Sequence, residues 1–146
     1  MKQVLLQILL VGMGTFGFSL LFGVSRRLYL WTTLGGMMSW LVYILLSRYF
    51  DMRFFPCLLA SAFAAIYAEI MARIMKAPAI LFLTASLIPA VPGSALFYTM
   101  RTLVSQDWSG MRLYGTQTLM FAVAIAAGVS IIWAMMSIIN RLDRKK

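Results

Sequence analysis

Leu87-Ile88-Pro89-Ala90-Val91-Pro92-Gly93-Ser94 lies in the middle of an apolar segment, residues 79–104, that is otherwise long enough to cross a bilayer as one helix. Two prolines and a glycine interrupt it. A proline carries no N–H, so Pro89 and Pro92 deprive the carbonyls of Ala85 and Ile88 of their helical donors. In hydrocarbon an unsatisfied backbone group is costly. A broken helix therefore persists at membrane depth only where protein shields it or where it faces a wet cavity. Two readings follow. A proline kink is common in spanning helices and needs no ligand. A discontinuous helix, in contrast, recurs at transporter sites, where half-helix ends offer carbonyls and amides to a solute.

The rest of the chain supports a membrane setting for either reading. Of its 146 residues, 62% are hydrophobic and 12% charged, against about 45–50% and about 25% in soluble domains. Apolar runs of about 20 residues, the length a spanning helix needs, fall at 3–23, 28–48, 54–75, 79–104 and 114–140. The expected fold is an all-α integral membrane protein. It is a bundle of five transmembrane helices forming one domain over 1–146, with the fourth discontinuous at Pro89–Ser94.

The formal charge of +9 does not indicate nucleic acid, because the basic residues sit at segment ends and form no stripe along a helix. Juxtamembrane Lys and Arg fit orientation better. With five spans the termini lie on opposite sides. Eight basic residues then share the side of Arg26, Arg27, Arg73, Lys76 and the C-terminal tail, and five share the other. The positive-inside rule gives an external N-terminus and a cytoplasmic C-terminus. Cys57 is the single cysteine, so no intrachain disulfide forms, and histidine is absent. The four acids, Asp51, Glu69, Asp107 and Asp143, are far apart in the chain. No carboxylate pair and no metal-ligand cluster is visible, so neither catalysis, a metal nor a cofactor is expected.

The first run is too long for a signal-peptide core, so it reads as a helix. Its Gly12-Met13-Gly14-Thr15-Phe16-Gly17 matches a dinucleotide-binding pattern by accident: no strand precedes it and no acid follows about 20 residues on. Glycines here, like the Gly35-Gly36 pair, suit close helix approach. Ala60, Ala64, Ala68 and Ala72 make a small-residue stripe, and Ala122, Ala126 and Ser130 offer another on the last run. Glu69 lies beside the first stripe, four residues before Arg73. It reads either as a local ion pair or as a protonatable group for proton coupling. Ser94, Tyr98 and Arg101 share one helical face after the break. Arg101 lies about 15 Å along the axis from Val91, near the headgroups, and reads either as a snorkelling cation or as a ligand contact.

If the segment is broken, its second half begins with free amides at Ser94 and beyond, a partial positive end suited to a carboxylate. Gly93 lets a ligand reach the backbone, and the Ser94 hydroxyl either caps the half-helix or meets the substrate. The substrate-binding candidates are thus Pro89, Pro92, Gly93, Ser94 and Tyr98, with Glu69 as the proton-coupling candidate.

Phe22-Gly23-Val24-Ser25-Arg26-Arg27, residues 35–43, Ala68-Glu69 with Ala72-Arg73, and above all Ile88-Pro89-Ala90-Val91-Pro92-Gly93-Ser94 resemble the threonine/serine exporter family. The likeness is to its short five-span subunit, similar to the C-terminal half of full-length members, and covers nearly the whole chain. It implies proton-driven export of threonine and serine, or of succinate as by one split pair. It also implies a bacterial inner-membrane location, a longer partner subunit and membrane lipid around the bundle. A second copy of the chain is the other partner to weigh. The competing readings are a non-transporting membrane scaffold or assembly subunit, in which small residues only pack helices and the prolines only kink, and an intramembrane enzyme acting on lipid, against which the lack of histidine and of paired acids counts.

Overall fold

Helices account for nearly all of the protein, whose structure, a computed structural model, describes residues 2–143, with side chains through Ile139. Of the basic tail used in the orientation count, Arg144, Lys145 and Lys146 lie outside the described residues, as do the side chains of Arg141 and Asp143. The elements are α1 (Lys2–Leu21), a 3-10 turn (Arg26–Leu28), α2 (Tyr29–Leu46), α3 (Phe54–Met75), α4 (Ala79–Leu87), a second 3-10 turn (Ile88–Ala90), α5 (Gly93–Val104) and α6 (Trp108–Asp143). No strand occurs among the described residues. Among the described residues four helices are long and apolar enough to cross a membrane, and a fifth span results if the pair 79–90 and 93–104 counts as one. That pair is bent by 56°.

Large apolar side chains point outward, Met13 at 73% and Leu21 at 81% exposed, while small residues are buried: Gly12, Thr15 and Ser19 on α1, and Thr32, Gly35, Gly36 and Ser39 on α2, with Gly36 facing Thr15 of α1 and Gly35 facing Ser86 of α4 and Tyr67 of α3. Lipid is as apolar as leucine, so helices there gain by close approach and small residues occupy their contacts. The buried hydroxyls stay satisfied by donating one turn back: Thr15 to the Val11 carbonyl at 2.8 Å, Ser19 to Thr15 at 2.9 Å, Ser39 to Gly35 at 2.8 Å. Ser19 and Thr32 also bond each other at 2.9 Å, joining α1 to α2. On α3 the stripe of Ala60, Ala64 and Ala68 is fully buried.

The small-residue stripe of α6 lies elsewhere than expected. Ala122, Ala126 and Ser130 are exposed, and Ala124 and Gly128 are buried instead. Small residues occur on several faces of this helix, so spacing cannot choose among them. The surface of α3 does: a Cβ on Gly128 would come within 2.5 Å of the Leu58 carbonyl oxygen and would meet the Ser61 hydroxyl. The glycine pattern in α1 is likewise only partly used. Gly12 faces Met37, whereas Gly14 and Gly17 have nothing within 4 Å of a Cβ.

α3 ends where Lys76 takes a left-handed conformation (φ 52°, ψ 44°) and the Ala77 N–H returns to the Ala72 carbonyl at 3.1 Å. Pro78 then starts α4. From Ala79 to Ala90 is 12 residues, about 18 Å of rise and so close to half of a hydrocarbon core of about 30 Å. The Ile88 carbonyl is not orphaned there, contrary to the expectation from Pro92. The chain tightens into the 3-10 turn and Val91 donates to Ile88 at 3.2 Å.

α6 starts at Trp108, ahead of the expected residue 114. Asp107 caps it, its carboxylate accepting from the Ser109 hydroxyl at 2.6 Å and the Gly110 N–H at 3.1 Å. These bonds, the Ser109 hydroxyl foremost, hold the Asp107 carboxyl below its usual range. α3 packs on α2, α4 and α6, whereas among the described residues α5 packs substantially on α6 alone.

Candidate functional site

The bend leaves a cavity of about 340 Å³ between the break and the ends of α2, α3 and α6. The break supplies Pro89, Ala90, Val91, Pro92, Ser94, Ala95 and Tyr98; α2 and the turn before α3 supply Trp40, Tyr43 and Arg53; α6 supplies Tyr114, Gln117 and Phe121. Pro92 sets the geometry at the start of α5. With φ −77° and ψ 56° it is not helical, and no side chain caps the helix. The Gly93 N–H turns back to the Val91 carbonyl at 2.8 Å, and the regular ladder begins with Leu96 donating to Pro92 at 2.9 Å. The amides of Ser94 and Ala95 are left over, as the first amides of a helix are, and both residues line the cavity.

Aromatic pairs form much of the wall. Trp40 stacks on Tyr43 with ring centroids 5.1 Å apart, and Tyr98 stacks on Tyr114 at 5.2 Å. The second pair ties α5 to α6, with help from Thr99 and Thr118, whose hydroxyls are 3.3 Å apart. The indole N–H of Trp40 is buried and has no hydrogen-bond partner. Arg53 is the single charged residue of the lining, and no acid is among it.

Of the residues singled out from the sequence, Pro89, Pro92, Ser94 and Tyr98 line this cavity. The Ser94 hydroxyl caps nothing, because Ser94 lies inside α5, after its first residue. Gly93 is beside the cavity but not in its lining, and a Cβ there would meet nothing within 4 Å. Arg101 stands apart in a surface hollow with Phe97, Met100, Val104 and Ser105, so the face it shares with Ser94 and Tyr98 divides between two surfaces. Glu69 is half-buried near the other end of α3, 16 residues from Arg53 and so about 24 Å away along the helix.

Sequence reasoning missed Arg53, Trp40, Tyr43, Tyr114 and Gln117. Its available signal was spacing. Trp40 with Tyr43, and Tyr114 with Gln117, are three apart, which puts each pair on one helical face within a spanning run.

Residues 7–135 match a family model described as Threonine/Serine exporter, ThrE. The chain belongs to the threonine/serine exporter family. It is accordingly a multi-pass membrane protein of a transporter family, and its cavity sits at the break of the 79–104 segment. No curated protein and no solved structure matches this exporter chain.

Proposed function

We propose that this chain is one subunit of a secondary transporter that exports small carboxylate-bearing metabolites, threonine and serine or a dicarboxylate such as succinate. It works with a longer subunit of the same family in the bacterial cytoplasmic membrane, its N-terminus outside and its C-terminus in the cytoplasm. Pro89, Pro92, Gly93, Ser94 and Tyr98 form its substrate site, and Glu69, remote from that site, is the proton-coupling group. One observation carries the reading: a cavity at the helix break whose lining holds a cation, the two residues with leftover amides at the start of a half-helix, and no acid. A helix N-terminus and an arginine both favour an anion. A scaffold needs neither the cavity nor the charge.

Inside-out vesicles test this directly, since uptake into them is export. Vesicles from cells carrying the chain should accumulate radiolabelled succinate or L-threonine faster than vesicles from cells lacking it, and the chain should co-purify with a longer membrane subunit. Equal uptake of succinate, threonine and serine by the two preparations would leave the scaffold reading in place.

A further inference from the structure

Arg53 stands out among the arginines on its side of the bundle. Arg48 lies toward α1, beside Lys2, Val4, Leu5 and Ile8, and Arg101 lies in its own hollow on α5. Arg53 alone lines the cavity, and among the described residues no carboxylate is within ion-pair distance of it. Its backbone is fixed as the residue preceding the first turn of α3, so the guanidinium is carried by the packed part of the molecule. The same cavity is lined by Ser94 and Ala95, whose amides are left over at the start of α5, a helix held to the rest through α6.

We infer that Arg53 binds the carboxylate of the transported solute and that the anion bridges it to the first turn of α5. This rests on the transporter reading and adds to it the residue that recognises the charge. A guanidinium presents two parallel N–H donors that fit a carboxylate fork-to-fork, and it keeps its charge at any working pH. The stacked pairs Trp40–Tyr43 and Tyr98–Tyr114 supply aromatic walls. The cavity volume, about 340 Å³, is at the small end for ligand pockets and suits a metabolite of a few carbons.

The test is concentration-dependent uptake of radiolabelled succinate and L-threonine by inside-out vesicles from cells that keep any native partner. R53Q should raise KM for the transported solute about ten- to a hundredfold, the worth of a lost charge-assisted bond, with little change in Vmax. R53K keeps the charge and loses the fork, and it should fall between R53Q and wild type. R48Q removes a nearby charge outside the cavity and should leave KM as in wild type, which separates contact from surface potential. Should R53Q not accumulate in membranes, R53K decides by the same readout. A KM within about twofold of wild type in R53Q, or in R53K where R53Q is absent, overturns the assignment. In that case wild-type uptake continues to support the transporter reading. No wild-type uptake above cells lacking the chain overturns that reading and this inference with it.

Discussion

A methyl group added at Gly35, Gly36 or Gly128 has nowhere to go, while one added at Gly93 touches nothing. At Gly35 it would run into the Ser86 hydroxyl and the Tyr67 ring, at Gly36 into Thr15, and at Gly128 into the backbone of α3. The first three glycines mark the region where α1, α2, α3, α4 and α6 approach closely. The fourth opens α5 beside the cavity. The contrast teaches that cohesion and ligand access are assigned to separate parts of this chain. Small residues bring the helices together in one part. In the other, two prolines and a bend of 56° hold a helix end away from its neighbours.

The largest effect should come from filling the packed region. Gly128→Val sets a branched side chain against a carbonyl oxygen that cannot rotate away, so it should cost about 3 kcal/mol. The detergent-solubilised protein would then unfold at a clearly lower temperature. An unchanged midpoint would erase the contrast from its packed side. Gly93→Val probes the open side. Stability should stay within about 0.5 kcal/mol of wild type, while KM for export should rise about tenfold as the side chain shields the first turn of α5. Transport with wild-type affinity would sever the break from the substrate site. Ser94→Ala removes a hydroxyl that has no protein partner, so stability should hold and KM should rise about threefold, the worth of one neutral hydrogen bond.

Glu69→Gln sharpens the contrast in another way. Glu69 lies far along α3 from the cavity, so KM should not move. On the proton-coupling proposal, the acceleration of uptake by a pH gradient should vanish; an unaltered response would remove Glu69 from the mechanism. The smallest effect concerns Asp107, which caps α6 outside both regions. Its carboxyl is lowered by bonds it makes only when folded, so its stabilising contribution is complete above the ordinary carboxylate range. It disappears as pH falls through the lowered value. The difference in melting temperature between wild type and Asp107→Ala should be present at neutral pH and fade under acid. A difference independent of pH would remove the charge from the cap.

The all-helical, membrane-spanning character and the place of the break were legible because both are local. A run of apolar residues needs no partner to declare itself, and a proline withholds its N–H wherever it stands. The face of α6 that packs was not legible. Ala122, Ala126 and Ser130 are as small as Ala124 and Gly128, and only the shape of α3 distinguishes them. The 3-10 turn that satisfies Ile88 was missed for a related reason: the backbone had a cheaper response to Pro92 than losing the bond. For the candidate site, the sequence pointed to the residues of the break, which are contiguous. Arg53 is 36 residues before Pro89 and Tyr114 is 25 after it. What places them around one cavity is the packing of α3 on α6 and the bend between α4 and α5, neither of which a single chain displays as a pattern.

Water at the break is the point on which the account stands, and the protein's own cysteine content makes it measurable. Cys57 is the sole cysteine and is 1% exposed, so a Cys57→Ala background carrying Ser94→Cys reports on one position. A charged, membrane-impermeant thiosulfonate applied to membranes opened to both faces should modify that thiol, and the transported carboxylate should slow the reaction. A thiol at position 94 that stays unmodified while the same thiol at the solvent-exposed Ser105 reacts would show the break to be dry, and the cavity would not be the site of transport.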